Sequence, residues 1–332
     1  MAQLKSFVRP GLIIYLVVIS GFLFLPRIVS TFNLILFQYG ITFAIVALGF
    51  NLLLGYTGLL SFGHGAYFAA GAYGVAMTAK YFPDLFSLEI LIPIALLISF
   101  LISAIFGFVC VRHTKIFFAI LALALSMLLY ALLFKFYHLT GGSDGLYVKI
   151  PMLFGHTFAN MRRPQFLSGF YHYFLVGMFF AAYIVMKCIV NSPFGKALQA
   201  IRDNEVRAEL IGIRVRRYRL YAFIISGMYS GLGGALWGFV NGHVTPDVSH
   251  WIFSGELVYM TLLGGFGVFA GPVVGALIFN FLKLYAMGST EYWMFIIGAT
   301  LIIIVLVLPG GVAGGLARLA SRIKQPSDKG AA

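Results

Sequence analysis

Long apolar blocks dominate this sequence and restrict its fold more than any other feature. Residues 90–111 (ILIPIALLISFLISAIFGFVCV), for example, are apolar at almost every position. A helix needs about 20 apolar residues to cross the hydrocarbon core of a bilayer. In that core every backbone amide must be hydrogen-bonded within a helix or a closed barrel. Barrel strands would alternate apolar and polar side chains, which these blocks do not. We therefore predict an all-α polytopic membrane protein.

The blocks predict about ten transmembrane spans, including short or broken helices, in a single transmembrane domain of residues 1–316. The expected spans are residues 11–25, 32–54, 61–80, 89–111, 116–136, 169–190, 220–242, 251–264, 268–287 and 292–309. The first run follows Lys5 and Arg9, as the apolar part of a secretory signal would. No small-residue cleavage pattern comes after it, so we expect an uncleaved first span.

Basic residues between the blocks predict the orientation, because short cytoplasmic loops are enriched in Lys and Arg. The N-terminus and the turn at 112–115 are basic, as are the segment 191–219 and the tail 317–332. We therefore expect both termini and these loops in the cytoplasm. An even number of crossings must then follow 191–219, so 251–264 either crosses as a short span or folds with its neighbour as a broken helix. Eight crossings are the alternative.

The formal net charge of +13 lies mainly between and beyond the apolar blocks. This distribution is typical of loops at a cytoplasmic membrane surface, where anionic lipids attract Lys and Arg. It does not indicate nucleic-acid binding. We expect membrane lipid, and no nucleic acid, among the partners.

Two glycine-rich stretches interrupt the apolar pattern, one in each half of the chain. They are residues 52–74 and 262–277, and both contain Leu-Leu-Gly followed closely by further glycines. Interrupted hydrophobic segments at corresponding places in two halves are typical of an internal two-fold repeat around a central pathway. The alternative is close packing between membrane helices, where glycine is common.

The segment 191–219 is a polar island between hydrophobic blocks and carries the signals of two short helices. Asn191 or Ser192 can cap the first helix, and Pro193 suits its first turn. Gly212 is a suitable C-terminal cap for the second. Two short helices with small apolar faces suit a groove in another protein. The alternative is a basic loop held by anionic lipid.

Several further motifs occur together with this island in a characteristic order. They are residues 51–74 (NLLLGYTGLLSFGHGAYFAAGAYG), 140–146 (TGGSDGL), 192–213 (SPFGKALQAIRDNEVRAELIGI), 262–277 (LLGGFGVFAGPVVGAL) and 308–315 (LPGGVAGG). Over nearly its whole length the sequence thereby resembles the permease subunits of branched-chain amino acid ABC transporters, specifically the LivM type. It departs from that pattern at Phe50, which replaces the usual residue before Asn51.

The resemblance implies a type II ABC importer-like permease in a bacterial inner membrane. It also implies a second, LivH-like permease, two LivG/LivF-like ATPases and an external solute-binding protein. No GxxxxGK[ST] phosphate loop is present, since Gly195-Lys196 lacks both the upstream glycine and the following Ser or Thr. We therefore expect no enzymatic activity and no cofactor in this chain, with ATP and Mg bound by the partner ATPases.

In the family that the chain resembles, the segment like 192–213 is where the permease docks on the ATPase. The residues expected to serve ATPase coupling are Ser192, Pro193, Gly195, Ala200, Arg202, Asp203, Asn204, Glu205 and Gly212. The residues Arg214–Arg219 are expected to form a basic anchor at the membrane surface.

Six polar residues are candidates for the pathway or its gates. They are Asn51, Ser61, His64, Tyr67, Asp144 and Glu256. A histidine at membrane depth is costly and often lines a pathway, but His64 can instead pin the glycine turn through an interhelical hydrogen bond. Asn51 and Tyr67 can similarly hold the break between the second and third helices. Glu256 can meet the ammonium group of a zwitterionic substrate, or pair with Lys283 or His243.

Two external features are predicted near the mouth of the pathway. Asp144 belongs to the turn 140–145, whose composition is common in turns but also suits docking of the binding protein. Arg162 and Arg163 lie on the same predicted side and can contact that protein. The histidines lack metal-ligand spacing, and no serine or cysteine has a base near it in sequence.

We expect this chain to form part of the pathway of an ATP-driven importer for Leu, Ile and Val, working by alternating access. A urea, amide or other small-solute ABC permease of the same fold is an alternative. A different class, a secondary transporter driven by an ion gradient, would need an ionisable relay at the membrane midplane. Glu256 and His64 are the candidates for such a relay.

Overall fold

The computed structural model of this chain is a bundle of membrane-type helices, which confirms the predicted all-α polytopic class. The structure describes residues 20–113, 115–153, 158, 161–308 and 310–315. Most of the predicted span 11–25 and the predicted tail 317–332 lie outside the described residues. Lys5 and Arg9 do as well.

Helices account for most of the described residues. They are α1 (20–28), α2 (Thr31–Asn51), α3 (His64–Tyr81), α4 (Leu88–Cys110), α5 (Lys115–Lys135), α6 (Tyr137–Thr140), α7 (Arg163–Phe166), α8 (His172–Asn191), α9 (Pro193–Asp203), α10 (Glu205–Leu210), α11 (Val215–Asn241), α12 (Trp251–Gly264), α13 (Gly271–Ser289), α14 (Trp293–Val307) and α15 (311–315). A π-helical segment, Leu52–Thr57, continues α2, and another, Leu167–Tyr171, joins α7 to α8. The strands β1 (Leu146–Tyr147) and β2 (His243–Val244) form an antiparallel pair.

Seven helical stretches of the described chain are long and apolar enough to cross a membrane. They are Thr31–Thr57, Leu88–Cys110, Ile116–Lys135, Arg163–Asn191, Val215–Asn241, Gly271–Ser289 and Trp293–Gly315. Helix α3, with 18 residues, is rich in Gly and Ala and almost wholly buried. Helix α12 has 14 residues, too few to span the bilayer core. Every predicted block from 32–54 to 292–309 contains one of these helices, while the number of crossings stays a prediction.

Helix α11 lies at the centre of the bundle, against α2, α3 and α4. In its apolar window 78% of the residues are buried, compared with 12% for the last span, which therefore lies at the periphery. The close approach depends on glycine, since a Cβ at Gly231 would overlap the hydroxyl of Ser99 and one at Gly234 would overlap the Phe68 carbonyl. Small-residue contacts of this kind hold membrane helices together.

The two glycine-rich stretches meet in the fold. A Cβ at Gly55 would come within 2.8 Å of the Phe266 carbonyl oxygen. Gly265, with φ of +97°, approaches the backbone of Gly310 in turn. The backbones can lie this close only because side chains are missing at these positions. The internal repeat itself stays a prediction.

Candidate functional site

Residues 192–213, called the coupling segment below, fold into α9 and α10. Ser192 caps α9: its Oγ accepts a hydrogen bond from the Gly195 amide at 3.4 Å and donates one to a carbonyl in the last turn of α8 at 2.6 Å. Pro193 occupies the first helical position, where no N–H is needed. A Cβ at Gly195 would overlap the Val190 carbonyl oxygen, so the turn into α9 requires glycine.

Asn204 separates the two short helices and caps the second. Its Oδ1 accepts a hydrogen bond from the Arg207 amide at 2.9 Å, which satisfies one of the free amides at the start of α10. Gly212 follows α10 with φ of +87°, a left-handed conformation that favours glycine. Ser192 and Gly212 therefore occupy the capping positions predicted from the sequence.

One face of the coupling segment is packed against the membrane helices. Leu198 and Ile201 of α9 are buried, as is Ala208 of α10. The ring of Phe194 stacks on that of Tyr218 in α11, with centroids 5.6 Å apart. These contacts hold the segment to the bundle through apolar surface. Ala200 lies beside this face and is half-buried.

Arg202 connects the coupling segment to the end of the second membrane helix. Its Nη1 donates a hydrogen bond of 2.5 Å to the carbonyl of Gly55, within the π-helical continuation of α2. Its stem passes over Gly58, where a Cβ would lie 3.0 Å from Arg202 Cγ. Asp203 accepts from the same guanidinium at 3.1 Å and orients it. A displacement of α9 would therefore act directly on this end of α2.

A second connection joins α10 to α11. Arg219 donates to both carboxylate oxygens of Glu205, at 2.7 and 2.9 Å. The Arg219 side chain is only 7% exposed, whereas that of Glu205 is 39% exposed. The prediction that Arg214–Arg219 form a surface anchor is therefore wrong for Arg219, which is a buried cation held by the coupling segment. Its partner lies on another helix, so no local pattern indicates it.

Helix α10 and the residue after it expose three apolar side chains. Val206 is 65% exposed, Leu210 81% and Ile211 75%. These three residues, called the outer face below, lie among the exposed charges of Arg207 and Glu209. A cluster of exposed apolar side chains on a polar segment is typical of an interaction surface.

His64 is buried where α3 meets α2 and α11. Its Nε2 lies 2.7 Å from the Ser226 hydroxyl, which itself donates to the Gly49 carbonyl at 2.6 Å. Because the hydroxyl proton is used on Gly49, His64 Nε2 is the donor in this pair. The adjacent Gly65 amide donates to Ser254 Oγ of α12 at 2.9 Å. This arrangement is an interhelical hydrogen-bond network at the glycine turn.

The other candidates near this turn are buried as well. Ser61 accepts a hydrogen bond from the Gly63 amide at 3.3 Å. Asn51 lies where α2 becomes π-helical, and its Oδ1 has no hydrogen-bond partner among the described residues. The Tyr67 hydroxyl is likewise buried and unpartnered in the described chain, and its ring meets that of Phe223 at 5.5 Å. The ring of Tyr67 lies 5.8 Å from that of His64, and the ring of Phe50, the residue before Asn51, lies 4.9 Å from it.

Asp144 lies far from this cluster in sequence and is exposed. Its carboxylate accepts a hydrogen bond from the Tyr137 hydroxyl at 2.6 Å, and this bond together with the negative charge raises the pKa of Tyr137. His243 Nε2 lies 2.8 Å from the Asp144 carbonyl. The pairing of β1 with β2 brings these two turns together, so the glycine-rich turn is attached to the end of α11.

Glu256 of α12 forms an ion pair with Lys283 of α13. Of the two partners considered from the sequence, the structure therefore has Lys283, since His243 bonds to Asp144 instead. The pair is partly buried, with 15% of the glutamate side chain and 29% of the lysine side chain exposed. It lines a cleft of about 480 Å³.

The sequence did not indicate the partial burial of Arg163 or its hydrogen bonds to the backbone. Its guanidinium is partly buried and donates to the carbonyls of Val148 and Phe239, each at 3.0 Å. A Cβ at Gly242 would overlap the same guanidinium. Arg163 therefore ties the segment after β1 to the end of α11, while Arg162 is exposed. The described residues contain no group of three or more His, Cys, Asp or Glu able to hold a metal ion.

Apolar helices joined by buried polar contacts, together with a polar segment exposed on one side, define a polytopic helical membrane protein. The chain belongs to the family described as branched-chain amino acid transport system, permease component, which it matches over residues 32–305. This match confirms the resemblance noted in the sequence. The chain is therefore a multi-pass inner-membrane permease subunit.

Individual relatives agree with this family. The LivM permease protein of the high-affinity branched-chain amino acid transport system of Escherichia coli is 26% identical over 287 residues, covering 81% of this chain and 67% of that protein. The LivH permease protein of the same kind of system in Salmonella typhimurium is 25% identical over 290 residues, or 83% of this chain and 92% of that protein. The ribose import permease protein RbsC of Haemophilus influenzae is 30% identical over 144 residues, covering 41% and 43%.

The chain is similar to both LivM and LivH proteins, as a member of a permease pair would be. No solved structure matches the chain.

Proposed function

We propose that this chain is the transmembrane subunit of an ATP-driven importer and forms part of the pathway for leucine, isoleucine and valine. The family and its branched-chain amino acid permeases support this substrate class. The coupling segment carries the mechanistic part of the proposal. Its outer face is exposed and apolar, and its Arg202 and Glu205 are bonded to the ends of α2 and α11.

In this account the outer face docks in a groove of a partner ATPase. ATP binding and hydrolysis in that partner move α9 and α10 as a unit, because caps and buried side chains hold both helices to each other and to the bundle. Arg202 passes the displacement to the π-helical end of α2 through Gly55. Arg219 passes it to α11 through Glu205. The chain itself carries no ATP site in this proposal, and ATP and Mg are bound by the partner.

Helices α2 and α11 are suitable elements for alternating access. They meet at Ser226, whose hydroxyl bonds to Gly49 and receives His64. A relative movement of the two helices would break or re-form this contact, as opening and closing a gate requires. Asn51, Ser61 and Tyr67 lie around the same turn and are proposed to shape this gate.

The remaining partners follow from the same proposal. A LivH-like permease completes the pathway, two LivG/LivF-like ATPases bind the cytoplasmic side, and a solute-binding protein docks outside near Asp144. Both termini and the coupling segment then lie in the cytoplasm, with the β1–β2 pair on the outer side. Anionic lipid at the basic loops stabilises this orientation.

Uptake of leucine into proteoliposomes tests the proposal. The complex is reconstituted with ATP inside and the binding protein outside, and radiolabelled leucine is counted in the vesicles. We expect uptake that requires internal ATP and is inhibited by isoleucine and valine. Inhibition by urea or amides instead would indicate another solute, and uptake driven by an ion gradient without ATP would refute the importer.

A further inference from the structure

The Glu256–Lys283 pair lines two clefts. The first, of about 480 Å³, is lined by Phe43, Phe68 and Phe253 in addition to the pair. The second, of about 440 Å³, is also lined by both charged residues and by Phe43. Each volume falls in the range of roughly 300–1,000 Å³ that small-molecule sites occupy. Each cleft therefore offers a carboxylate and an ammonium group to a bound solute.

Contacts with neighbouring helices place the first cleft at the depth of the membrane centre. The loop after β2 returns into the bundle, where Ser249 accepts a hydrogen bond of 2.8 Å from Ser126. Ser126 lies near the middle of the span Ile116–Lys135. Helix α12 begins only two residues after Ser249, which explains why it is shorter than a membrane span. Its first turns, with Glu256, are therefore at the depth where transporters of many folds bind their substrates.

A charge pair at this depth is costly, because both ions lose part of their hydration. Charged residues inside membrane segments are therefore functional candidates. The surrounding surface is aromatic, with the rings of Phe68 and Phe253 only 4.4 Å apart. A carboxylate, an ammonium group and an apolar wall complement the three parts of an apolar amino acid.

We propose that the α-ammonium group of the transported amino acid binds Glu256 and its α-carboxylate binds Lys283, while its side chain lies against Phe43, Phe68 and Phe253. This inference rests on the proposed function and adds the position and chemistry of the substrate site. The zwitterion replaces one ion pair by two and brings no net charge, so neither buried ion is left unpaired. Asp247 at the edge of the cleft adds a negative charge that also favours the ammonium end.

A diazirine analogue of leucine provides a direct test. The complete transporter is placed in lipid nanodiscs without the external binding protein, so that selection by that protein does not enter. The complex is irradiated with the analogue, and adducts on this chain are located by mass spectrometry. We expect adducts on the residues of the first cleft and suppression by excess leucine.

Two leucine analogues test the contributions of the two charged groups of the substrate separately. Isocaproate lacks the ammonium group, and leucine methyl ester lacks the carboxylate. Each should compete about tenfold less well than leucine, the effect of losing a hydrogen bond to a charged group. Equal competition by all three, or adducts that avoid the first cleft, would overturn the inference without any variant being made.

Substitution of the Glu256–Lys283 pair provides a second test of the proposed site. The double change Glu256→Gln and Lys283→Gln should lower labelling by about tenfold or more in complexes that still co-purify with the ATPases. Lys80→Gln, at an exposed lysine on α3, is the matched control and should label normally. Normal labelling and uptake in the double variant would mean that the pair is only structural.

Leucine uptake by the wild-type complex is measured in parallel. Absence of leucine uptake would refute the proposed function. Uptake without labelling of the first cleft would refute only the proposed substrate site.

Discussion

Replacing Arg202 by alanine tests the connection between the coupling segment and the membrane helices. The change removes the hydrogen bond to the Gly55 carbonyl and leaves the caps of α9 and α10 unchanged. A hydrogen bond from a charged donor contributes about 1.5–3 kcal/mol. The Arg202 side chain is 39% exposed, which favours the lower end of this range. We therefore expect a loss of about 1.5 kcal/mol in coupling between the two elements, or roughly tenfold.

The assay compares two rates in the same proteoliposomes, leucine imported and ATP hydrolysed. In Arg202→Ala the number of leucine molecules imported per ATP should fall by about tenfold, while hydrolysis continues and the ATPase stays bound through the outer face. Arg202→Lys should give an intermediate value. The lysine side chain keeps the positive charge but lacks the planar guanidinium group that contacts Gly55 and Asp203 together.

Arg216→Ala is the matched control, because it removes an exposed arginine on the first turn of α11. It should leave the ratio of import to hydrolysis at the wild-type value. If Arg202→Ala also retains the wild-type ratio, the bond to Gly55 transmits nothing and the reasoning is refuted.

Two further predictions concern the stability of the coupling segment, measured as the thermal midpoint of the purified complex. Glu205→Gln leaves the buried guanidinium of Arg219 without its counter-ion and should destabilise the protein by about 3 kcal/mol, the lower end for a buried pair, because Glu205 is 39% exposed. Replacing both residues by leucine should recover more than half of the lost midpoint, and no recovery would argue against a paired buried charge. Gly195→Ala should cost about 1–3 kcal/mol because the new methyl overlaps a backbone carbonyl. Gly177→Ala on α8, where nothing lies within 4 Å of a new Cβ, should be tolerated, and equal effects of the two changes would contradict this explanation.

The local structure of the coupling segment was predictable because its signals are local. Ser192, Pro193 and Gly212 act within one helical turn of their own position, so capping rules place them correctly. The helices themselves follow from apolar blocks for the same reason. The late start of α12, in contrast, depends on Ser249 meeting Ser126 of α5, and nothing in the segment itself reveals that contact.

The burial of individual charged residues could not be predicted from the sequence. Positions of Arg and Lys predict the side of the membrane, but not which of them are buried. Arg219 and Arg163 are both close to other basic residues, yet each is held at least partly buried by a partner on another helix. Arg202 was expected to serve coupling, whereas its acceptor, a carbonyl 147 residues away, follows only from the packing of α9 on α2.

The central claim is that the outer face of the coupling segment is the docking surface of an ATPase. A photo-reactive amino acid placed at Leu210, which is 81% exposed, tests it most directly in the assembled complex. Tyr147, 78% exposed on β1 at the predicted outer side, is the control position. The account predicts an adduct with the ATPase subunit from position 210 and none from position 147. Adducts from position 210 with lipid alone would contradict it and leave the segment as a basic loop at the membrane surface.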